Sequence, residues 1–367
     1  MATDSISTGS LDVALAMLTL VPGGMGGSET YARALTRELA NVDGLSATAF
    51  VPSNAAGFSE GVPERVISAV TTGGTTRERL GAVVSANLHA RSIRSAFGGA
   101  DVVHYPFTVP APTPGRGRAL VQSLLDVQHL DLPHLFGRAE LLYRRRFYEG
   151  AARKADAVIT ISEFAKRRMV ELLGISPERI HVAHLGVDTA QFVPNLGERE
   201  DFVFYPARGW AHKNHARLFE AMELVRRERP GMRLVLTGGG LDTLGELPDW
   251  VDRKGLVSTG ELHSLYRSAQ VMAFPSLYEG FGLPPLEAMA SGCPVAASDA
   301  GSIPEVCGEA AVLFDPLDPE AIAAGILEAI RRGPELSVGG VPHAAAFTWA
   351  KCRDAHLAAY RVAAAAH

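Results

Sequence analysis

Apolar residues recur along this chain in two patterns. Short, nearly unbroken runs, such as Leu11–Leu20, Ala157–Ile161 and Gln270–Phe274, read as strands buried on both faces of a parallel sheet. Between them lie longer stretches with apolar residues three or four positions apart, the spacing of a helix with one buried face. In the first half the pattern predicts strands at Leu11–Leu20, Ala47–Val51, Val66–Ala69, Asp101–Pro106, Ala119–Leu125 and Ala157–Ile161. Helices are expected at Glu29–Ala40 (Tyr31, Leu35, Leu39), Thr76–Phe97 (Leu80, Val83, Val84, Leu88), Leu141–Lys154 and Glu163–Leu173, the last with Ser162 as N-cap. A polar stretch from Val193 to Glu200, containing Pro194 and Gly197, reads as a linker. The alternation then restarts with strands at Asp201–Pro206, Arg233–Thr237, Gln270–Phe274 and Pro294–Ala297. Its helices are Ala216–Arg227, Gly260–Ala269, a short one ending at Met289, and Asp315–Arg332. A Pro/Gly-rich loop at Gly333–Pro342 precedes a last helix, Trp349–Ala364, which Thr348 can cap. Strand–helix alternation of this kind predicts an α/β fold with parallel sheets.

At 367 residues the chain is long enough for two such domains. Hydrophobic residues at 47% against 20% charged supply large buried cores, and disorder is not expected. A formal net charge of −5 argues against a nucleic-acid binder that works by neutralising phosphates. Three cysteines, Cys293, Cys307 and Cys352, with no CxxC, suggest a reducing cytoplasm rather than a disulfide framework or zinc site. The start, MATDSISTGS, lacks a basic region, and the apolar run Val13–Val21 ends at Pro22-Gly23, so neither signal peptide nor membrane span is expected.

The chemistry concentrates where strands end. The first strand runs into Pro22-Gly-Gly-Met-Gly-Gly-Ser28, whose glycines, Gly26 and Gly27 among them, allow close backbone approach by a ligand or simply make a tight turn. The spacing is not that of the dinucleotide fingerprint. The strand ending at Leu125 is followed by Asp126, Gln128 and His129 at the ligand side of the sheet, where His129 reads equally as functional or structural. Arg144, Arg145, Arg146 and Arg153 read either as a solvated helix face or as a site for an anionic acceptor or acidic lipid headgroup. In the second half Arg208 and Lys213 straddle a sharp turn after a strand, a guanidinium fork and an ammonium suited to a diphosphate. The stretch PSLYEGFGLPPLEAMASGCPVAASDAGSIPE, Pro275–Glu305, organises the rest. Glu279 and Glu287 stand eight positions apart around Gly280-Phe281-Gly282-Leu283 and the pair Pro284-Pro285. The glycine turn leads into a helix N-terminus, where free N–H groups suit an anion. A carboxylate inside that helix can accept from a vicinal diol such as a ribose.

The pattern E-x7-E within EGFGLPPLEAMASGCPV closely resembles the family 4 retaining glycosyltransferases. That resemblance implies the GT-B fold, two Rossmann-like domains with parallel sheets facing a central cleft. It implies an acceptor-side domain at 1–193, joined by the C-terminal helix 349–367, and a nucleotide-sugar-binding domain at 194–346. By the same resemblance Glu287 holds the donor ribose, while the amides of Phe281, Gly282 and Leu283 with Arg208 and Lys213 hold the diphosphate. Glu279 faces the transferred sugar, and Gly26 and Gly27 line the cleft. The family's His-Asp-x-Gln-His pattern departs here, since Leu125 stands where its first histidine is usual, leaving Asp126 and His129 as the remaining catalytic candidates. No Asp-x-Asp motif is evident, so no metal or other cofactor is expected. YPARGWAHKNH looks most like mannosyl-type transferases, which puts GDP-mannose first and UDP-hexoses second as donor. The expected partners are that nucleotide sugar and a hydroxyl acceptor, not nucleic acid. A cytoplasmic location is expected, with peripheral association at the membrane's inner face through the Arg144–Arg146 helix. Two other classes stay open: a binding module that does not turn the sugar over, and a GT-B relative with other chemistry such as an epimerase.

Overall fold

The computed structural model describes residues 10–367; the basic-free start at 1–9 lies outside the described residues. The chain divides into two compact units, one of residues 1–161, 165–184 and 349–367, the other of 162–164 and 185–348. Each carries one all-parallel sheet. In the first unit the strands are β1 (Leu11–Ala16), β2 (Leu45–Pro52), β3 (Glu64–Ile67), β4 (Val102–Tyr105), β5 (Ala119–Ser123), β6 (Ala157–Thr160) and β7 (Ile180–Val182). Their order is β3-β2-β1-β4-β5-β6-β7. In the second unit β8 (Glu200–Pro206), β9 (Arg233–Thr237), β10 (Val251–Gly255), β11 (Ala269–Phe274), β12 (Val295–Ser298) and β13 (Val312–Phe314) are ordered β10-β9-β8-β11-β12-β13. Both are the doubly wound Rossmann arrangement, in which the order reverses between the first and fourth strands and ligands collect at the carboxyl ends there.

The central strands are apolar throughout, as in Val13, Leu15, Val203, Phe204, Val271 and Met272, all fully buried. Strand β10 gave no apolar run because it lies at a sheet edge, where Asp252, Arg253 and Lys254 guard unpaired backbone against a second sheet. The helix expected over Thr76–Phe97 is two helices, Thr76–Leu88 and Ala90–Ala96, broken at His89 (φ −94°, ψ 15°). Its buried face is Ala82, Val83 and Ala86, while Leu80, Val84 and Leu88 point to solvent. Thr75 and Glu78 close a reciprocal capping box at its start.

Two further expectations are corrected. The Arg-rich helix is regular over Arg138–Arg144 and then widens to a π-turn over Arg145–Glu149. Arg144 is not on a solvated face: its Nε donates to Glu140 at 2.9 Å, and its guanidinium lies over the rings of Phe136 and Tyr148 at 4.6 and 5.2 Å. Arg145 and Arg146 remain exposed. Second, Gly333–Pro342 is no loop but the greater part of a helix, Gly333–Ala345. Pro334 falls in the first turn, where its missing N–H costs nothing, and Pro342 sits near the other end. Gly340 is the reason for a glycine in mid-helix: a Cβ there would stand 3.3 Å from Met289, so its absence lets this helix close on the Leu283–Ala290 helix. The terminal Trp349–Ala364 helix packs in the first unit, where its His356 and Tyr360 bond Tyr31 and His104 at 2.7 Å each.

Candidate active site

The loops that leave β8 and β11 emerge where the strand order of the second sheet reverses. The first, Ala207–Asn214, is interlocked with the glycine loop after β9. A Cβ on Gly209 would stand 2.2 Å from the Gly240 carbonyl, and one on Gly238, whose φ is 133°, 2.5 Å from the Ala207 carbonyl. Backbone therefore meets backbone, and Gly209 N donates to Gly239 O at 3.1 Å. Next comes Arg208, its guanidinium 5.1 Å from the ring of half-exposed Trp210. A single turn over Ala211–Lys213 ends at Asn214, held left-handed (φ 61°) because its side chain donates to Pro275 O at 3.0 Å and Pro316 O at 2.8 Å. Tyr205 Oη pins the Lys213 carbonyl at 2.7 Å.

The second loop brings Glu279 to Lys213. Nζ donates to Oε1 at 2.5 Å, and the two side chains are 14% and 15% exposed. The pair is charge-assisted and still open to a ligand on one side. Ser302 Oγ lies 2.9 Å from the Glu279 carbonyl and 2.6 Å from that of Phe281, fixing the turn from behind. Gly282 is required at its place: φ is 125°, and a Cβ would approach Ile303 Cδ1 to 2.8 Å. The helix that follows, Leu283–Ala290, has no side-chain cap, and Pro284 and Pro285 remove two of its first-turn donors. The Gly282 and Leu283 amides have no acceptor among the described residues. Phe281 is buried beside Phe347, the centroids 6.0 Å apart, so only its backbone is placed to serve a ligand.

One helix turn further, Glu287 accepts from Tyr266 Oη at 2.9 Å. Burial pushes the Glu287 carboxyl up to about 7, against the lowering effect of the Tyr266 hydroxyl. Tyr266 belongs to the Thr259–Ser268 helix, TGELHSLYRS, and no motif in the sequence marks it. His212 was also passed over. Burial and then Lys213 push its imidazole down to about 4, and His215 behaves likewise, so Arg208 and Lys213 are the cations of this loop at neutral pH.

Because Glu287 holds a proton in the folded chain that it loses when unfolded, stability falls as pH rises from about 4.5 to about 7. Glu287→Gln keeps the acceptor for Tyr266 and removes that penalty, on the order of 3 kcal/mol. Scanning calorimetry should find the variant melting a few degrees higher at pH 8 and unchanged near pH 4.5. An equal shift at both would contradict a charge effect.

The remaining sequence candidates lie in the first unit. Gly26 (φ 53°) turns the chain into the Gly27–Leu39 helix, and a Cβ on Gly27 would meet nothing within 4 Å, so open space adjoins the loop there. Glu29 folds the loop back by accepting from Gly23 N at 3.0 and 3.2 Å. Asp126 is partly exposed and its Oδ1 accepts from Gln128 N at 3.0 Å. His129, by contrast, is 1% exposed, with both ring nitrogens unpartnered by hydrogen bonds and Nε2 3.5 Å from Glu149. Burial and then Arg144 push it down to about 4, so it is a neutral ring packed against Tyr148. Among the described residues no group of three or more His, Cys, Asp or Glu could hold a metal ion, and no helix is long and apolar enough to cross a membrane.

Comparison with known proteins covers both units. The family model described as Glycosyltransferase Family 4 matches residues 25–191, and that described as Glycosyl transferases group 1 matches 187–337. O-antigen chain mannosyltransferase B of Escherichia coli is 28% identical over 68% of this chain and 72% of its own length. The MMP alpha-(1->4)-mannosyltransferase of Mycolicibacterium hassiacum is 34% identical over 58% of this chain, and this chain spans 55% of that relative. D-inositol 3-phosphate glycosyltransferase of Mycolicibacterium smegmatis is 34% identical over 56% of this chain and 53% of its own length. Among solved structures, sucrose-phosphate synthase from Thermosynechococcus elongatus superposes with a TM-score of 0.78 at 20% identity, covering 97% of this chain and 100% of that one. HepE of Anabaena, solved with UDP and glucose, superposes with a TM-score of 0.71 at 17% identity over 95% and 98% of the two chains. At these identities the superpositions speak for the fold.

Proposed function

Since this chain belongs to the family 4 glycosyltransferases, we propose that it moves a hexosyl group, mannose first, from a nucleoside diphosphate sugar to a hydroxyl acceptor with retention of configuration. The observation that carries this reading is the convergence of Arg208, Lys213, Glu279 and the Gly282–Leu283 amides on loops at the strand-order reversal of the second sheet. Arg208, Lys213 and the amides meet the charge that develops on the leaving diphosphate, stabilisation already in place before the reaction. The bond from the anomeric carbon to the phosphate oxygen breaks as the acceptor oxygen bonds that carbon from the same face. The acceptor's proton passes to a phosphate oxygen. Such a route needs no histidine base, which accommodates Leu125 and a buried, neutral His129. Glu279 balances positive charge at the anomeric carbon, Glu287 receives the ribose diol, and the Gly26–Gly27 loop with partly exposed Asp126 serves the acceptor side.

GDP-mannose is the first donor on the strength of the YPARGWAHKNH segment and the two mannosyltransferase relatives, and UDP-hexoses come second. The acceptor class is a glycan, a lipid-linked saccharide or a secondary metabolite. Arg145 and Arg146, exposed beyond the tethered Arg144, are the residues that would meet an acidic membrane surface from the cytoplasmic side. A second reading, a binding module without turnover, is favoured by one observation, Leu125 in place of a histidine. Thermal-shift screening against GDP, UDP, ADP and dTDP tests the common ground. The matching nucleotide at 100 times its Kd should stabilise by about 2.7 kcal/mol, and none doing so would remove the donor reading. Turnover should also persist in excess EDTA; loss on chelation with recovery on Mg²⁺ or Mn²⁺ would show that a metal, not Arg208 and Lys213, neutralises the leaving group.

A further inference from the structure

Tyr266 is fully buried, its ring held edge-on by Phe204 and Phe192 with centroids 5.1 and 6.0 Å away. A buried phenol needs a hydrogen-bond partner, and the Thr259–Ser268 helix aims this one at Glu287 Oε2, 2.9 Å away. The other oxygen, Oε1, has no hydrogen-bond partner among the described residues and is not among the buried, unsatisfied atoms, so it is open to a ligand. Resting on the donor reading above, we infer that Tyr266 is a positioning residue for the donor, its hydroxyl holding Glu287 by one oxygen so that the carboxylate offers the other to the vicinal hydroxyls of the nucleoside.

The chemistry behind this is the form of the carboxyl. An ionised carboxylate only accepts, which is what two donating hydroxyls require; a protonated one presents a competing donor. Burial drives Glu287 toward the protonated form, and the Tyr266 O–H is the contact that opposes it. The other titratable groups near the pair are Cys293, Arg199 and His263, which precedes Tyr266 by one helix turn and packs on Phe192 with ring centroids 4.4 Å apart. Burial pushes the Cys293 thiol up to about 12, and Arg199 sits on the carbonyls of Tyr266 and Ala269. Cys293 and Arg199 keep their charge across the neutral range, arginine staying protonated throughout, and His263, whose imidazole burial pushes down, is still present in Glu287→Gln. Any pH dependence of binding in that range that Glu287→Gln abolishes therefore belongs to Glu287.

Calorimetric titration at pH 6, 7 and 9 with the nucleoside diphosphate that stabilises best, out of GDP, UDP, ADP and dTDP, tests the inference on three proteins. Wild type should bind more weakly at pH 6 than at 9. Tyr266→Phe, which keeps the ring and its packing, should bind about tenfold more weakly at pH 7 and recover toward wild type at pH 9, where Glu287 is ionised without help. Glu287→Gln should keep only the dependence that comes from the nucleotide's own phosphate. Tyr266→Phe binding like wild type throughout, or being weaker by one factor at every pH, overturns the positioning role. A wild type that binds none of the four overturns the donor reading and the inference with it.

Discussion

Replacing Lys213 by alanine is expected to lower kcat/KM by about 10²–10³ while leaving the fold intact, the scale of losing one preorganised charge-stabilising donor. The ammonium is held by its bond to Glu279 at 2.5 Å, and the backbone of Lys213 is pinned by the Tyr205 hydroxyl on its carbonyl at 2.7 Å. In the proposed reaction it is therefore already in position when negative charge gathers on the leaving diphosphate. Alanine also leaves Glu279 facing the site with no cation, which repels the diphosphate, so both kcat and donor affinity should fall. Circular dichroism and a thermal scan check the fold, and steady-state kinetics with a varied donor check the rate. A variant with wild-type kcat/KM would remove Lys213 from the leaving-group site.

The second large effect concerns the two glutamates and separates them. Glu279→Gln should lower kcat by about 10², because in the proposed reaction the carboxylate balances charge that exists only in the transition state. Its loss frees Lys213 from its ion pair, so the variant should bind a nucleoside diphosphate at least as tightly as wild type. Glu287→Gln should instead raise the donor KM about tenfold or more, the scale of a hydrogen bond to a charged group, since the proposed ribose contact would be made in ground and transition states alike. Glutamine keeps volume and hydrogen bonding in both. The opposite split would mean that the roles are exchanged, and two near-wild-type variants would make this a plain loop and helix of a doubly wound sheet.

Most of the strand–helix order was legible because buried parallel strands such as β1, β6 and β11 are apolar on both faces and cannot be mistaken for loops. Their ends were less so: the apolar run Leu11–Leu20 is strand only to Ala16, the remainder being buried loop. What escaped were elements whose residues answer to neighbours rather than to periodicity. Edge strand β10 carries charges, and the Gly333–Ala345 helix has the composition of a loop, its Gly340 answering to the close approach of Met289. The same division holds in the candidate site. Arg208, Lys213, Glu279 and Glu287 stand out as polar residues at strand ends and glycine turns, and the structure places Lys213 on Glu279. Tyr266 and Ser302 do not stand out, since no motif marks either, and only the fold brings them to Glu287 and to the Glu279 turn. His129 shows the reverse, a residue at a ligand-side strand end that the structure buries to 1%.

The most direct measurement is release of free nucleoside diphosphate from GDP-mannose and UDP-hexoses, followed over hours in excess EDTA, for wild type and Lys213→Ala side by side. The account predicts that one of these donors is cleaved by wild type without added metal and that the Lys213→Ala rate is lower by about two orders of magnitude or more. No donor cleaved under any metal condition, or cleavage by Lys213→Ala at the wild-type rate, would contradict it.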